Sequence, residues 1–228
     1  MENDFFLPER CLPPLAKNLR LLVADLRHLP SDFATTLSDS QRDEVVSIAL
    51  DKRKRERAAE YLLLNRLTGA FPMLDHLPDG SPSIHDPISE PWNISLSHSL
   101  NYVALFASLR DEKIGVDIEE HTDKIVKVAS RFASAEELSV FTTPALLLRL
   151  WTIKEAAYKA AGIEGLSFRE SIRVVSHSDF RAEVEIIPSS DTKPAFFSSL
   201  LPPTPILKLT ARTFLLPDNT PLTIAQSL

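Results

Sequence analysis

Ile114-Gly115-Val116-Asp117-Ile118-Glu119 reads as a β-strand, and its period of two puts Asp117 and Glu119 on one face. Two carboxylates side by side repel each other. A hard cation between them relieves that repulsion, and Mg²⁺ favours oxygen ligands from one or two carboxylates together with phosphates and waters. On spacing alone an exposed strand end, with Glu120 as one more surface carboxylate, is the commoner reading. Downstream of this strand, residues 122–131, 134–140 and 144–161 read as helices, with Ser134 and Glu137 spaced for a capping box. Upstream, residues 92–97 and 102–109 are extended and a polar turn at 110–113 leads into the strand itself.

Further from this centre, residues 18–25 suit a buried strand. Ser38 or Ser40 caps a helix running towards Leu50, and the spacing of Ala58, Tyr61, Leu62, Leu64 and Leu67 gives another that ends near Gly69. Residues 71–91 are dense in Pro, Asp, Ser and Gly and read as a surface loop. Residues 172–228 read as mostly extended, with β-branched residues between prolines that mark turns. Each half therefore combines helices and strands. The fold class expected is α+β, in two similar-sized α+β lobes divided at 1–110 and 111–228.

A chain of 228 residues with 44% hydrophobic side chains can bury one large core or two smaller ones. Its single cysteine, Cys11, allows no intramolecular disulfide, which fits a reducing compartment. Neither a signal peptide at residues 1–10 nor a run of membrane-spanning length is read, so a soluble, cytoplasmic protein is expected. The net charge of −6 argues against broad nucleic-acid binding. One basic run stands out: Lys52, Arg53, Lys54, Arg55 and Arg57 crowd the start of a helix, where they form either a solvated face or a patch for phosphates or an acidic partner.

Two further stretches carry chemistry. In Trp151-Thr152-Ile153-Lys154-Glu155-Ala156-Ala157-Tyr158-Lys159, residues 151, 155 and 159 share a helix face, so Glu155 and Lys159 can act together. Taken alone, such a pair is more often a surface ion pair, and Trp151 and Tyr158 serve equally as core anchors. Asn93-Ile94-Ser95-Leu96-Ser97-His98-Ser99 brings hydroxyls and an imidazole to a strand end. No G-x-S-x-G elbow surrounds those serines, so a His–Ser pair that hydrogen-bonds a phosphate fits better than a hydrolytic nucleophile.

Together and in this order, Ser97-His98-Ser99, Gly115-Val116-Asp117-Ile118-Glu119 and Trp151 through Lys159 resemble the three signatures of the 4'-phosphopantetheinyl transferase superfamily, particularly its two-lobed, surfactin-synthetase-activating type. Arg131-Phe132-Ala133-Ser134 before Glu136-Glu137 is similar to the family's Phe-x-x-x-Glu stretch, and Gly162 with Gly165-Leu166 follows as in the family. Two positions depart from the pattern: Ser81 stands where Gly-(Lys/Arg)-Pro is usual, and Leu100 stands where a glycine is usual. The resemblance implies lobes related by a pseudo-two-fold axis, with the active site at their interface.

It also implies an activity: transfer of the 4'-phosphopantetheine group from coenzyme A to a serine of an acyl or peptidyl carrier protein, releasing 3',5'-ADP. Carried over residue by residue, Asp117, Glu119 and Glu155 correspond to ligands of Mg²⁺, and Lys159 to the catalytic lysine. Ser97 and His98 would hold the 3'-phosphate end of coenzyme A, with Arg53 and Arg57 adding to it. Such a transfer needs charge neutralisation and alignment more than covalent chemistry, which suits this residue set. Glu155 would take the serine proton directly or through a water, and Lys159 would offset charge on the departing nucleotide. The partner implied is a carrier protein, and a monomer suffices. Two other readings compete: a noncatalytic coenzyme A or carrier-protein binding module of the same fold, and a metal-dependent phosphohydrolase.

Overall fold

The computed structural model describes residues 4–85, 90–110, 112–120, 124–188 and 206–227. The protein is a mixed α+β structure and divides into two compact units, residues 1–111 and 112–228.

In the first unit, β1 (Leu19–Asp25) is followed by α1 (Asp39–Ser47) and α2 (Asp51–Thr68), then by β2 (Met73–His76), β3 (Pro82–His85), β4 (Asn93–His98) and β5 (Tyr102–Ser108). The three longer strands form an antiparallel sheet in the order β1-β5-β4. β5 takes the centre because every one of its side chains is buried, which only a doubly covered strand tolerates. Tyr61, Leu63 and Leu64 of α2 join Val103, Leu105 and Ala107 of β5 in this unit's core. Ser38, not Ser40, caps α1, in a capping box with Gln41.

Residues 71–91 depart from the loop expected there. Met73–His76 and Pro82–His85 pair as a short hairpin with Leu74 opposite Ile84, and both of these side chains enter the core. Gly80, at φ 79°, adopts the left-handed conformation that closes the turn, where Leu77 N–H donates to the Ser81 carbonyl at 2.9 Å. Two buried side chains suffice to fix the hairpin's register, a signal too short to stand out among the prolines.

The second unit runs β6 (Ile114–Ile118), α3 (Lys124–Phe132), α4 (Ala135–Val140), α5 (Pro144–Ala161), β7 (Ile172–His177), β8 (Arg181–Ile186), β9 (Leu207–Leu215) and β10 (Pro221–Ser227). Its five strands are antiparallel in the order β6-β10-β9-β8-β7. The expected capping box forms, with Ser134 Oγ accepting from Glu137 N–H while the Glu137 carboxylate accepts from Ser134 N–H. α5 lies along β6, β10 and β9 on a face of small residues, Ala156, Ala157, Ala160 and Ala161, all buried.

That close approach explains Gly115. A Cβ there would lie 2.0 Å from the Ala156 carbonyl oxygen and 2.7 Å from the Ala160 nitrogen, both backbone atoms that cannot turn aside. Gly115 is thus the point at which helix and strand meet, two residues before Asp117.

Among the described residues, no helix is long and apolar enough to cross a membrane.

Candidate active site

β6 delivers Asp117 to the sheet edge, opposite Thr223 of β10, and Glu119 follows one residue past the strand's end. From the helix above it, Lys159 Nζ donates to Asp117 Oδ1 at 2.8 Å and to the Val116 carbonyl at 2.9 Å. The face shared by Glu155 and Lys159 is therefore turned towards the acidic strand. Asp117 is 6% exposed, so this ion pair lies in a poorly solvated place where charges act strongly.

Glu155 carries the clearest electrostatic signature of the unit. Its burial and the nearby Asp117 charge push its pKa up to about 7, Glu119 adds to the rise, and Lys159 opposes it. Glu119 is likewise held above the ordinary carboxylate value, by burial first and then by the charges of Asp117 and Glu120. Three carboxyl groups thus feel one another as like charges.

This is the environment that a hard divalent cation relieves, and the donors are all oxygen, the type that Mg²⁺ prefers. Among the described residues, no group of three or more His, Cys, Asp or Glu side chains is placed to hold a metal ion. Mg²⁺ needs none, since it is commonly held by one or two carboxylates with the remaining positions left to phosphates and waters. The donor chemistry fits the ion.

Trp151 is a core anchor. Its ring meets Phe132 edge-on at 5.1 Å between centroids and stacks on Phe168 at 5.4 Å, and Tyr158 packs against the same Phe168 at 5.2 Å. These aromatics hold α5 in place while its other face addresses β6.

The motif also holds residues whose roles the sequence reading did not assign. Lys154 is fully buried: its Nζ donates to the carbonyls of Phe132, Phe168 and Ile172 at 2.9, 2.7 and 2.7 Å and pairs with Glu137 at 2.7 Å. Thr152 Oγ1 and Thr223 Oγ1 are 2.8 Å apart, and Thr223 continues to Thr213 at 2.9 Å, a buried hydroxyl chain tying α5 to β10 and β9. The available signal for Lys154 is helical spacing, since Leu150, Ala157 and Ala161 lie on the same side and are all buried.

In the first unit the structure brings together Arg53, Arg57 and His98. They converge on Glu60 of α2, a residue that the sequence reading passed over. Arg53 Nη1 donates to Glu60 Oε1 at 3.0 Å, and His98 Nε2 lies 2.5 Å from the same oxygen. Arg57 Nη1 is 3.0 Å from Glu60 Oε2 and its Nε is 3.2 Å from Glu44 Oε1. Ser97, buried on β4, sits opposite Ala104, and His98 opposite Val103. Burial alone would raise the pKa of Glu60, but the bond to His98 and the charges of His98, Arg57 and Arg53 outweigh it and hold this carboxylate below its ordinary value.

The basic run therefore has a third character, besides a solvated face or an open patch. Four of its five cations are engaged within their own unit: Arg53 and Arg57 as above, Arg55 through a bond from Nη2 to the Leu26 carbonyl at 2.5 Å, and Lys52 by an ion pair with Glu56 at 3.6 Å.

Residues 113–212 match the model of the 4'-phosphopantetheinyl transferase superfamily, so this part of the chain is similar to that superfamily. No curated protein matches the chain.

Proposed function

We propose that this protein moves the 4'-phosphopantetheine group of coenzyme A onto a serine of an acyl or peptidyl carrier protein, releasing 3',5'-ADP, in the manner of a holo-[acyl-carrier-protein] synthase acting in the cytoplasm. The observation that carries this reading is the meeting of α5 with β6, where Lys159 Nζ donates to Asp117 Oδ1 at 2.8 Å and Glu155 stands one turn before Lys159 on the same helix face. Asp117, Glu119 and Glu155 would hold Mg²⁺, which when bound supplies positive charge against the diphosphate of the donor.

The remaining chemistry belongs to the chain. Glu155 takes the proton of the carrier serine directly or through a water, the relay being chemically easier for a carboxylate that also holds a cation. The serine oxygen forms a bond to the phosphorus that carries pantetheine, and the bond from that phosphorus to 3',5'-ADP breaks. Lys159, already 2.8 Å from Asp117, keeps its positive charge beside the reaction and offsets the charge on the departing nucleotide. Ser97, His98, Arg53 and Arg57 take the 3'-phosphate end of the donor. Their convergence supports this, since two guanidinium groups and an imidazole are the groups that bind phosphate most readily.

The test is the intact mass of an apo carrier protein incubated with this protein, coenzyme A and Mg²⁺, beside a control containing EDTA. A single gain of the mass of phosphopantetheine, absent with EDTA, is the expected result. No gain across acyl and peptidyl carriers, despite binding of coenzyme A, would replace this reading with that of a noncatalytic binding module. Breakdown of coenzyme A without a carrier would make the protein a hydrolase.

A further inference from the structure

We infer that Glu60 is a positioning residue for the donor's 3'-phosphate: it holds His98 by Nε2 and draws Arg53 and Arg57 to one point, so that a single phosphate meets all three. This rests on the reading that Arg53, Arg57 and His98 bind that phosphate.

A carboxylate only 1% exposed is expensive, because several kcal/mol of hydration are lost on burial. An apolar side chain would fill the same buried position at lower cost, and would leave the three basic groups unaligned. Glu60 fixes the His98 ring in particular. A nitrogen 2.5 Å from a carboxylate oxygen carries the hydrogen, so Nε2–H donates to Glu60. The ring's other nitrogen, Nδ1, has no hydrogen-bond partner among the described residues. With a proton on each nitrogen the ring donates to Glu60 through Nε2 and to a phosphate through Nδ1.

Each arginine keeps donors outside this arrangement: Arg53 reaches Glu56 and Glu60 through Nη1 alone, and Arg57 turns Nε and Nη1 to the carboxylates. Arg57 stands at ion-pair distance from Glu60 and Glu44, yet the approach is too oblique for hydrogen bonds, and its buried Nε and Nη1 make none. Glu44 and Glu56 bring further negative charge to the same cluster, Glu56 at 3.4 Å from Arg53. The guanidinium charges are therefore balanced before any ligand arrives. Net field does not attract a phosphate here; aimed donors do, and Glu60 aims them.

The experiment measures, by calorimetry on the full chain, the dissociation constants of coenzyme A and of 3'-dephospho-coenzyme A, which differ only in that phosphate. The wild type should prefer coenzyme A by about tenfold or more, the size of one good charge-assisted contact. In Glu60→Gln the preference should fall below about threefold while the dephospho donor binds as before. Adding His98→Asn to Glu60→Gln should cost little more, since the two act together. Should Glu60→Gln fail to fold, Glu60→Asp, which keeps the charge but withdraws it, should still lose most of the preference.

A variant that keeps the full preference overturns the inference. So does one that weakens both donors alike, the mark of a mere clamp between α2 and β4. A wild type indifferent to the 3'-phosphate also overturns it, and transfer to a carrier protein would in that case still stand. Discrimination intact without transfer would instead retain Glu60 and remove the proposed reaction.

Discussion

Glu155 makes a prediction that needs no substrate. Its folded pKa of about 7 lies above the ordinary 4.5, so the folded state holds this proton more tightly than the unfolded chain does. The stability gained is fully present below 4.5 and is lost as pH rises through about 7. In EDTA, Glu155→Gln should therefore melt like the wild type at acid pH. Near neutral pH and above it should melt higher by about 2–4 °C, the shift expected for about 1 kcal/mol after solvent screening. Equal melting points throughout would mean that Glu155 is not crowded by its neighbours. In the transfer assay the same variant should lose about a hundredfold or more in kcat, and Lys159→Ala should lower kcat far more than it raises KM for coenzyme A. Gly115→Ala tests the helix–strand contact. Its methyl meets two backbone atoms, so at least about 2 kcal/mol of stability should go, read by urea unfolding.

The helices and strands that the sequence displays are those whose burial follows a period. α5 runs from Pro144 to Ala161, as its apolar spacing and its proline predict, and the capping box at Ser134 marks α4. Polar residues that work from inside an element were hidden. Lys154 sits beside Glu155 in sequence and Glu60 stands one turn after Glu56 and Arg57, where local reasoning sees solvated pairs, and only tertiary packing turns them inward. Of the candidate site, the identities of Asp117, Glu119, Glu155 and Lys159 were readable from spacing and motif. The ion pair between Lys159 and Asp117 was not, because the partners lie 42 residues apart. Lys154 gives the prediction at this scale. Lys154→Met leaves Glu137 buried without its cation and frees three carbonyls, and should cost about 3–5 kcal/mol. Combining it with Glu137→Gln should restore part of that, since the remaining charge is removed. Additive losses in the double variant would show that the two residues contribute independently.

Across the whole molecule, charge decides how an acidic carrier protein would be met. The net charge is −6, and the densest basic run of the sequence, on α2, spends Arg53 and Arg57 on Glu60 and Arg55 on the Leu26 carbonyl. Lys52 is left largely exposed, with Glu56 at 3.6 Å taking part of its charge. A run whose guanidinium groups are neutralised at home projects little field beyond a Debye length, so it steers a distant partner weakly. The proposed reaction should accordingly depend little on salt through this helix: KM for the carrier protein should rise less than about threefold between about 50 and 300 mM NaCl. The double charge reversal Lys52→Glu with Lys54→Glu should change it no more than that. A tenfold rise, abolished by the double variant, would make α2 the carrier-protein dock, with exposed Lys52 and half-buried Lys54 as the contacts that matter and its arginines as their foundation.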